Sequence, residues 1–457
     1  MADFYQSFAT QGTEVELSQL LEAREQRAAL QQQCLTRYQQ PILSLTLTAV
    51  GSVKKNALLD YVFEQALHYL SAEFETLEIS PTAQFIRPFI TGHEAIFVLP
   101  INAIKLKQAM IALEQRLPIA RLWDLDVIDF NGKPLSRLEV GYSPRECLLC
   151  DCEAKLCARE GMHQLDDIIA EIQQRAMAHR FAQYIATQVH KALLTEARLT
   201  PKPGLVDSRN SGAHQDMDLH LFEVSALALK SFWYDFVLQG MANATLAVSD
   251  VLAQIRPLGL RAEQAMLQAT NGVNTHKGAI FSLGLVCTAL GYLFQQKRIF
   301  NVETVCHTVA QICHGIVAEL QAEIISRPLT AGEKLYKNYG LTGARGEAEN
   351  GFPLIQNALP TLRHDRELLH SLRLVLLQLM AQNPDTNVAH RGGMEGLIWL
   401  QQYANNLLAD ERIYQDQTLL INKLEEFDQQ CIARNLSAGG SADLLALTYF
   451  FFILSSR

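Results

Sequence analysis

Hydrophobic and polar positions follow different periods in the two parts of this chain. In the first part helical and strand patterns are mixed. Leu17–Tyr38 repeats apolar residues at helical spacing and ends before Pro41, so it predicts a helix. Ile42–Val50 alternates apolar residues with Ser and Thr, which predicts a strand closed by Gly51. These patterns predict an α+β fold for the first part of the chain.

Three further segments complete the prediction for this part. Asn56–Tyr69 has helical periodicity and predicts a second helix. Strands are predicted at EAIFVLPI, residues 94–101, and at ARLWDLDVIDF, residues 120–130, where an NGK turn ends the second strand.

From about Leu165 onward strand patterns nearly vanish, and long helical patterns are joined by short clusters of Gly, Pro and Asn. This predicts an all-α second domain. Because 457 residues are too many for one ordinary core, two domains are expected. We place the boundary near residue 175, which gives domains at 1–175 and 176–457.

Composition and charge narrow the class of protein. Hydrophobic residues make up 49% of the chain and charged residues 19%, which is typical of a globular protein. A net charge of -9 leaves no basic excess for nucleic acid, so no nucleic-acid partner is predicted. The N-terminus lacks the cationic start and apolar core of a leader, so a cytoplasmic location is expected. The uncharged run Gly278–Phe294 is interpreted as a buried helix rather than a membrane span.

The first candidate for chemistry is the pair Asp124 and Asp126 in the predicted strand. Because strand side chains alternate, the two carboxylates face one side while Trp123, Leu125 and Val127 face the other. Two carboxylates on a rigid strand suit Mg²⁺ and the phosphates of a nucleotide. A solvent-facing polar strand edge would give the same pattern.

Four of the nine cysteines lie close together in RECLLCDCEAKLCAREGMH, residues 145–163. The string contains Cys147, Cys150, Cys152, Cys157 and His163, which could supply a tetrahedral set of zinc ligands. It lacks the second separated Cys-x-x-Cys pair or the paired histidines of the strong zinc signatures. Zinc ligands and reduced structural thiols are therefore both open interpretations.

The second domain begins with an acidic cluster. NSGAHQDMD, residues 210–218, brings His214, Asp216 and Asp218 together just before an amphipathic helix. In a loop the two carboxylates could form a metal site. The alternative is a helix cap with acidic residues in the first turn.

The stretch NGVNTHKGAIFSLG, residues 271–284, places polar and cationic groups ahead of a long apolar run. It is not a P-loop, because Lys277 precedes Gly278 and no hydroxyl residue follows. A helix that begins near Gly278 would still offer free N–H groups and a positive dipole end beside Lys277. Anion binding is therefore favoured, with a capped helix and a solvated lysine as the alternative.

Three more loops mix glycines with charged and polar residues: GARGEAENGFP (343–353), NPDTNVAHRGG (383–393) and LSAGGSADLLA (436–446). Loops on a helical scaffold are where sites are usually assembled. Several such loops predict a polyphosphate and metal site, with Asp385, His390 and Arg391 as candidates.

Together these strings carry a resemblance to known families. TPKPGLVD, NSGAHQDMD, GVNTHKGAIFSLG, GARGEAENGF, DTNVAHRGG and GGSADLLA resemble the triphosphoribosyl-dephospho-CoA synthase family of the citrate lyase system. LLEAREQRAALQQQ, LTLTAVGSVKKN, ARLWDLDVID and RECLLCDCEAKLCARE resemble the apo-citrate lyase phosphoribosyl-dephospho-CoA transferase family. The sequence looks like a fusion of the two.

The resemblance implies two consecutive reactions. In the first, the ribose 2′-hydroxyl of dephospho-CoA attacks C1′ of the ATP ribose and expels adenine. In the second, the phosphoribosyl-dephospho-CoA group passes to a serine of the citrate lyase acyl carrier subunit, and pyrophosphate is released. The implied partners are ATP, dephospho-CoA and that carrier subunit, with Mg²⁺ as cofactor.

The resemblance also implies roles for particular residues. In the second domain the triphosphate clamp would be Lys277, Arg345 and Arg391, and Mg²⁺ ligands would be Asp216, Asp218 and Asp385. Glu196 or His214 would take the proton, and the other ligand-binding candidates are Lys202, Asn274, His276 and His390. In the first domain, a nucleotidyltransferase-like site would place Mg²⁺ on Asp124 and Asp126, with Arg121 and Lys54 or Lys55 near phosphates.

Two rival interpretations remain. One is the analogous pair of enzymes for malonate decarboxylase, which handles the same prosthetic group. The other is a non-catalytic regulator that binds nucleotides and zinc.

Overall fold

The computed structural model describes residues 5–321 and 328–455. The chain divides between Arg180 and Phe181 into two compact units, called here the N-terminal unit and the C-terminal unit. The division falls inside one long helix, α5 (Leu165–Arg198). The units are divisions by packing, and the domain limits 1–175 and 176–457 stay a prediction.

The N-terminal unit combines helices with one small sheet. Its elements in chain order are α1 (Leu17–Tyr38), β1 (Ile42–Leu47), α2 (Ala57–Thr76), β2 (Ala83–Phe89), β3 (Gly92–Val98), α3 (Ala103–Arg116), β4 (Trp123–Ile128) and α4 (Ala154–Glu160), followed by α5. The four strands are antiparallel in the order β2-β3-β1-β4. A mixed helix and strand arrangement was the expectation for this part, although β2 is an addition to the predicted strands.

One face of the sheet is largely apolar. Leu43 and Leu45 of β1 are completely buried on this face. Trp123 of β4 is also completely buried, and its indole N–H donates to the carbonyl of Val62 in α2 at 3.1 Å. Burial of these side chains is the main stabilising contribution to this layer of the unit.

The opposite face changes character along the strands. At one end Ile42, Ile96 and Val98 pack against Cys34 and Leu35, near the carboxyl end of α1. At the other end of this face the strands carry Ser, Thr, Asp and Glu side chains, so the surface there is polar. The carboxyl half of α1 therefore covers the apolar half of this face. The amino half of α1 lies beside the polar half, called here the polar half-face.

The elements assigned to the described residues of the C-terminal unit are helical. After α5 they are α6 (Leu219–Ala242), α7 (Val251–Ala269), α8 (Lys277–Gln295), α9 (Val302–Ile312), α10 (Ala331–Tyr339), α11 (Gly343–Glu349), α12 (Pro353–Ala358), α13 (Leu368–Gln382), α14 (Thr386–Leu408), α15 (Gln417–Ala433) and α16 (Gly439–Ser455), with short 3₁₀ turns between some of them. Helix α14 is kinked at Gly393.

Helix α8 lies at the centre of this unit. By length and composition it could cross a membrane, but 83% of its most apolar window is buried inside the structure. It packs against α6, α7, α9 and α16. These surroundings are those of a core helix, which agrees with the interpretation of Gly278–Phe294.

Candidate active sites in the two units

The polar half-face of the sheet brings the two strand aspartates together. Asp124 and Asp126 are exposed. The residues that alternate with them along the strand, Trp123, Leu125 and Val127, are buried. The alternation predicted from the sequence is therefore present. On the neighbouring strand β1, Thr46 pairs with Asp124 and Ser44 pairs with Asp126, so hydroxyl groups continue the polar surface.

Helix α1 supplies a basic wall to this surface. A cavity of about 300 Å³ is lined by Arg24, Arg27 and Gln31 of α1 together with Ser44, Thr46, Asp124 and Asp126. Arg27 also forms an ion pair with the buried Glu94 at 3.2 Å. Acidic side chains on the floor and basic ones on the wall suit a cation together with phosphate oxygens. Sequence reasoning missed Arg24 and Arg27, although their spacing of three places them on one helix face.

The edge of β4 holds two further cations. The Nζ of Lys107 donates to the carbonyl of Leu125 at 3.0 Å, and burial lowers the pKa of this lysine. Arg145 lies 3.7 Å from the Asp124 carboxylate and also donates to the carbonyl of Trp123 at 2.9 Å. Partial loss of solvation beside the surrounding protein, followed by the charge of Asp124, raises the pKa of Asp126, although its side chain keeps contact with solvent. A bound cation would therefore favour the ionised form of this carboxylate.

Other cations predicted near phosphates are engaged with backbone carbonyls. Lys54 donates to Ala49 at 2.6 Å, and Lys55 donates to Pro88 at 2.9 Å. Arg121 donates to the carbonyl of Glu146 at 2.5 Å. These three side chains do not line the aspartate cavity, and their phosphate roles stay predictions.

The C-terminal unit contains a larger polar cavity of about 400 Å³. Its walls come from the end of α5, the loops around residues 202–217 and 274–278, and the starts of α14 and α16. Eight of the predicted site residues line it: Glu196, Lys202, His214, Asp216, Asn274, His276, Lys277 and Arg391.

Four predicted residues lie outside the lining of this cavity. Arg345 lines an adjacent cavity of about 490 Å³, and Asp385 lines a small neighbouring pocket. His390 is exposed on α14. Asp218 is exposed and caps α6 by accepting the N–H of Leu221 at 2.9 Å, which is the alternative left open for it.

A buried ion pair fixes one wall of the polar cavity. The Nζ of Lys202 lies 2.5 Å from the Glu196 carboxylate, and both side chains are at most 5% exposed. The same Nζ donates to the Glu196 carbonyl at 2.8 Å. The backbone N–H of Lys202 donates to the Asp207 carboxylate, and this hydrogen bond fixes the loop between the two residues. Each charge in this wall is therefore compensated, as burial requires.

Asp443 is the residue of the C-terminal cavity that sequence reasoning overlooked. It is the one charged residue in α16, it lines the polar cavity, and it accepts the N–H of Ala279 in the first turn of α8. Burial, followed by the charges of Glu196 and Asp385, raises its pKa well above the usual range. A single charged residue in a largely apolar helix was the available signal.

The geometry around His214 argues against a free basic nitrogen. Its Nε2 lies 2.8 Å from the Ser437 hydroxyl. Its Nδ1 lies 3.0 Å from an Arg391 nitrogen, and a guanidinium can only donate. Burial, followed by the charge of Arg391, lowers the pKa of His214. The hydroxyl and the guanidinium thus hold the ring in place, and its charged form is disfavoured.

His276 is buried at the start of α8. Its Nδ1 lies 2.7 Å from the Ser225 hydroxyl, which also accepts a hydrogen bond from Thr275 at 2.7 Å. Its Nε2 is buried and has no hydrogen-bond partner among the described residues. Burial, followed by the charge of Lys202, lowers the pKa of His276 to about 3, so the ring is neutral. An unpaired buried nitrogen in a residue that lines the polar cavity marks a place where a polar partner is missing.

Lys277 borders both cavities of the C-terminal unit. Its backbone N–H is capped by the Asn274 side chain at 3.2 Å, and its Nζ lies 2.9 Å from Glu263. Arg345 in the second cavity lies 3.9 Å from Glu319. Both cations are substantially exposed, so solvent and a phosphate can reach them.

The aspartates predicted to bind Mg²⁺ in the C-terminal unit differ in how many hydrogen bonds their carboxylate oxygens already accept. One oxygen of Asp385 accepts the N–H groups of Asn387 and Val388, and the other accepts the N–H and hydroxyl of Ser441. Asp216 is exposed and lines the polar cavity, 3.9 Å from His214. Asp216 therefore fits a phosphate-bound cation better than Asp385 does.

The cysteine string folds into one cluster. Ligand atoms of Cys147, Cys150, Cys157 and His163 all lie within 4.8 Å of one another, while Cys152 lies outside the group. The nine cysteines are free thiols.

A strand carboxylate pair beneath two arginines, and a helical cavity with buried carboxylates and exposed cations, are arrangements of enzymes that handle phosphorylated substrates. Comparisons with known families place the chain within that class. Residues 15–179 match the CitX family, described as apo-citrate lyase phosphoribosyl-dephospho-CoA transferase. Residues 182–457 match the CitG family, described as ATP:dephospho-CoA triphosphoribosyl transferase. The chain belongs to both families, joined in one polypeptide.

Individual proteins show the same joined arrangement. The chain is 54% identical to Protein CitXG of Haemophilus influenzae, over 99% of both sequences. It is 36% identical to Protein CitXG of Leuconostoc mesenteroides subsp. cremoris, over 96% of this chain and 97% of that protein. A 2-(5''-triphosphoribosyl)-3'-dephosphocoenzyme-A synthase of Haemophilus ducreyi is 50% identical over 67% of this chain and 99% of its own length. The resemblance to a fusion is confirmed.

Proposed function

We propose that this chain carries out two consecutive transferase reactions that make and install the prosthetic group of citrate lyase. The C-terminal unit joins dephospho-CoA to the triphosphoribosyl group of ATP and releases adenine. The N-terminal unit transfers the phosphoribosyl-dephospho-CoA group to a serine of the acyl carrier subunit and releases pyrophosphate. The observation that carries the proposal is that each family match falls within one compact unit.

The first reaction needs a base for the 2′-hydroxyl of dephospho-CoA. The bond from this oxygen to C1′ of the ATP ribose forms while the bond from C1′ to adenine breaks, and the hydroxyl proton must be removed. We assign the base to Asp443, because a carboxylate with a raised pKa accepts a proton more readily than an ordinary one. Glu196 is neutralised by Lys202, and the Nδ1 of His214 already accepts from Arg391.

The two adjoining cavities support a site for two large substrates. The polar cavity contains Asp443, and the second cavity has a more apolar wall that includes Leu252, Ile255 and Phe281. Lys277 borders both cavities, so it can contact a phosphate of a substrate in either. The proposed clamp of Lys277, Arg345 and Arg391 is thus distributed over the two cavities, and its effect is electrostatic.

Mg²⁺ remains part of the proposal in both units. Asp216 in the C-terminal unit, and Asp124 with Asp126 in the N-terminal unit, are the acidic groups whose placement fits it. When bound, Mg²⁺ would neutralise phosphate charge. The polar cavity also offers the unpaired nitrogen of His276, which can donate to or accept from a bound nucleotide.

For the second reaction we propose a nucleotidyltransferase-like site on the polar half-face of the sheet. The carrier serine would attack the α-phosphorus, and the bond to pyrophosphate would break. Arg24 and Arg27 would pair with phosphate oxygens, with Arg145 beside Asp124. We also propose an all-α architecture for the complete C-terminal unit and a cytoplasmic location, where ATP and dephospho-CoA are available.

The test is intact-mass analysis of apo acyl carrier protein incubated with this protein, ATP, dephospho-CoA and Mg²⁺, with adenine measured in parallel. We expect adenine release and a mass gain equal to one phosphoribosyl-dephospho-CoA group. No mass gain with competent carrier, together with no adenine, would refute the proposal and favour a non-catalytic nucleotide-binding regulator.

Two variants separate the proposed sites. Asp124→Asn should abolish attachment and leave adenine release intact. Asp129→Asn, just beyond the end of β4, is the matched control and should retain attachment. Loss of both activities in Asp124→Asn would contradict two independent sites.

A further inference from the structure

The four side chains of the cysteine cluster are close enough to share one metal ion, because their ligand atoms all lie within 4.8 Å of one another. The Sγ atoms of Cys150 and Cys157 are 3.9 Å apart, and the Nε2 of His163 is 3.3 Å from the Sγ of Cys150. A tetrahedral zinc ion with Zn–S bonds of about 2.3 Å and Zn–N bonds of about 2.0 Å requires ligand separations of roughly 3.5–3.8 Å. The sulfur separation is far from the roughly 2.05 Å of a disulfide.

The local backbone is arranged to present these ligands. The N–H of Cys147 donates to the carbonyl of Cys152 at 2.8 Å and closes a tight loop. Within that loop the N–H of Leu149 points at the Sγ of Cys147 at 3.5 Å, a contact that stabilises a thiolate. Helix α4 carries Cys157 and is followed by Gly161, whose φ of 60° turns the chain back. His163 follows that turn and so returns to the cluster.

This part of the N-terminal unit has almost no apolar core of its own. Of residues 141–163, all of which the structure describes, Cys157 alone is buried. Leu156 and Met162 are 49% and 56% exposed. Segments that cannot bury enough apolar surface are usually held by disulfides or by a metal ion. The cysteines here are free, so a metal ion is the cross-link that this cluster could still supply.

We propose that Cys147, Cys150, Cys157 and His163 bind one structural Zn²⁺ ion. Three thiolates and one imidazole are a typical closed structural zinc set, with no position left for substrate. Softer sulfur ligands select zinc over Mg²⁺, so this site is chemically distinct from the strand aspartates.

The zinc ion acts on the transferase site through the segment that it folds. Arg145, two residues before the first ligand, donates to the carbonyls of Arg121 and Trp123 at 2.6 and 2.9 Å and lies 3.7 Å from Asp124. The positive charge of Lys155, on α4 between the ligands, acts on Asp126. Zinc therefore positions Arg145 beside the carboxylate pair. This positioning role rests on the proposed transferase function, whereas zinc binding does not.

Metal content of the purified full-length chain tests zinc binding directly. We expect about one zinc per chain by elemental analysis, and background zinc in Cys150→Ser. Cys152→Ser is the matched control, because Cys152 lies in the same string outside the cluster, and it should keep full zinc. Background zinc in the wild-type chain, stoichiometric iron in its place, or equal zinc loss in Cys152→Ser would overturn the proposal.

Cobalt exchange tests the same site in the wild-type chain, so its result does not depend on whether a variant folds. Wild-type chain stripped of zinc and given Co²⁺ should show thiolate-to-cobalt charge transfer and the intense visible bands of tetrahedral cobalt, which zinc then displaces. Weak bands of octahedral cobalt would overturn the tetrahedral site.

The positioning role has a separate readout. Removal of zinc should reduce attachment to the carrier at least tenfold while adenine release by the C-terminal unit stays unchanged. Re-addition of zinc should restore attachment. Unchanged attachment in zinc-free chain would refute the positioning role alone, and absence of attachment in zinc-replete wild-type chain would refute the proposed function alone.

Discussion

Asp443 gives the first reaction a pH dependence that an ordinary aspartate would not. The proposed base works only when ionised, and burial with two carboxylate neighbours raises its pKa. The rate should therefore fall as pH decreases through that raised pKa, at higher pH than for a free aspartate. Glu196→Gln removes one neighbouring charge and should move this acid limb to lower pH. kcat/KM for adenine release against pH is the measurement, and an unmoved limb would contradict the assignment.

The buried pair of Glu196 and Lys202 should be worth more to stability than a surface pair. Glu196→Gln leaves Lys202 charged in a site that is 2% exposed, which should cost about 3–5 kcal/mol. The double change to Glu196→Gln and Lys202→Met should recover part of this loss. Urea unfolding followed by circular dichroism measures the difference.

The control for this prediction is the exposed pair of Lys423 and Glu426, 3.3 Å apart. Glu426→Gln should change the free energy of unfolding by less than about 1 kcal/mol. Equal effects in the two pairs would mean that burial does not decide the energetics here.

Individual site residues were predictable to different degrees. Period-two alternation was enough to place Asp124 and Asp126 on one face. It could not place Arg24 and Arg27 beside them, because that requires knowing which face of the sheet α1 covers. Asp443 was missed for a similar reason. Its chemistry depends on Glu196 and Asp385, which are distant in sequence and meet it only in the folded unit.

At the level of elements, the start of α8 depends on a small residue. A Cβ on Gly278 would collide with the Asp443 carboxylate. Gly278→Ala should therefore displace the proposed base and lower adenine release by about 100-fold, as expected when a reacting group moves by roughly 1 Å. Steady-state adenine release measures the effect, and circular dichroism checks that the helices persist. Full activity in a folded variant would place the base elsewhere.

The bounds of a secondary-structure element were predictable where one hydrophobic period ran through the whole segment. The bounds of α1 coincide with the predicted Leu17–Tyr38. Strand β2 was not predicted, because Arg87 and Pro88 interrupt its apolar pattern. Strand β1 ends at Leu47 rather than Val50, since Leu47 pairs with Trp123, the first residue of β4. Pairing partners, which a single sequence does not reveal, decided that end.

At the scale of the whole molecule, two variants that each lack one activity should together complete both reactions when they are mixed. Asp443→Asn should lack adenine release but keep the transferase site, and Asp124→Asn should have the opposite defect. Equal amounts of both variants should attach the prosthetic group to carrier protein after a lag, because the intermediate must diffuse between chains. Intact-mass analysis over time measures attachment. No attachment in the mixture, although each variant performs its own half-reaction, would mean that the intermediate does not leave the chain.

The burial of α8 also has a consequence during protein synthesis. The helix leaves the ribosome before α9 and α16, two of the elements that cover it, have been translated. For that interval the nascent chain carries a partly covered segment that is apolar enough to resemble a membrane span. Asp443 arrives with α16, so the polar cavity gains its proposed base in the same step in which α8 gains one of its covering helices. We expect a chain cut short before α16 to lack adenine release and to leave one side of α8 uncovered.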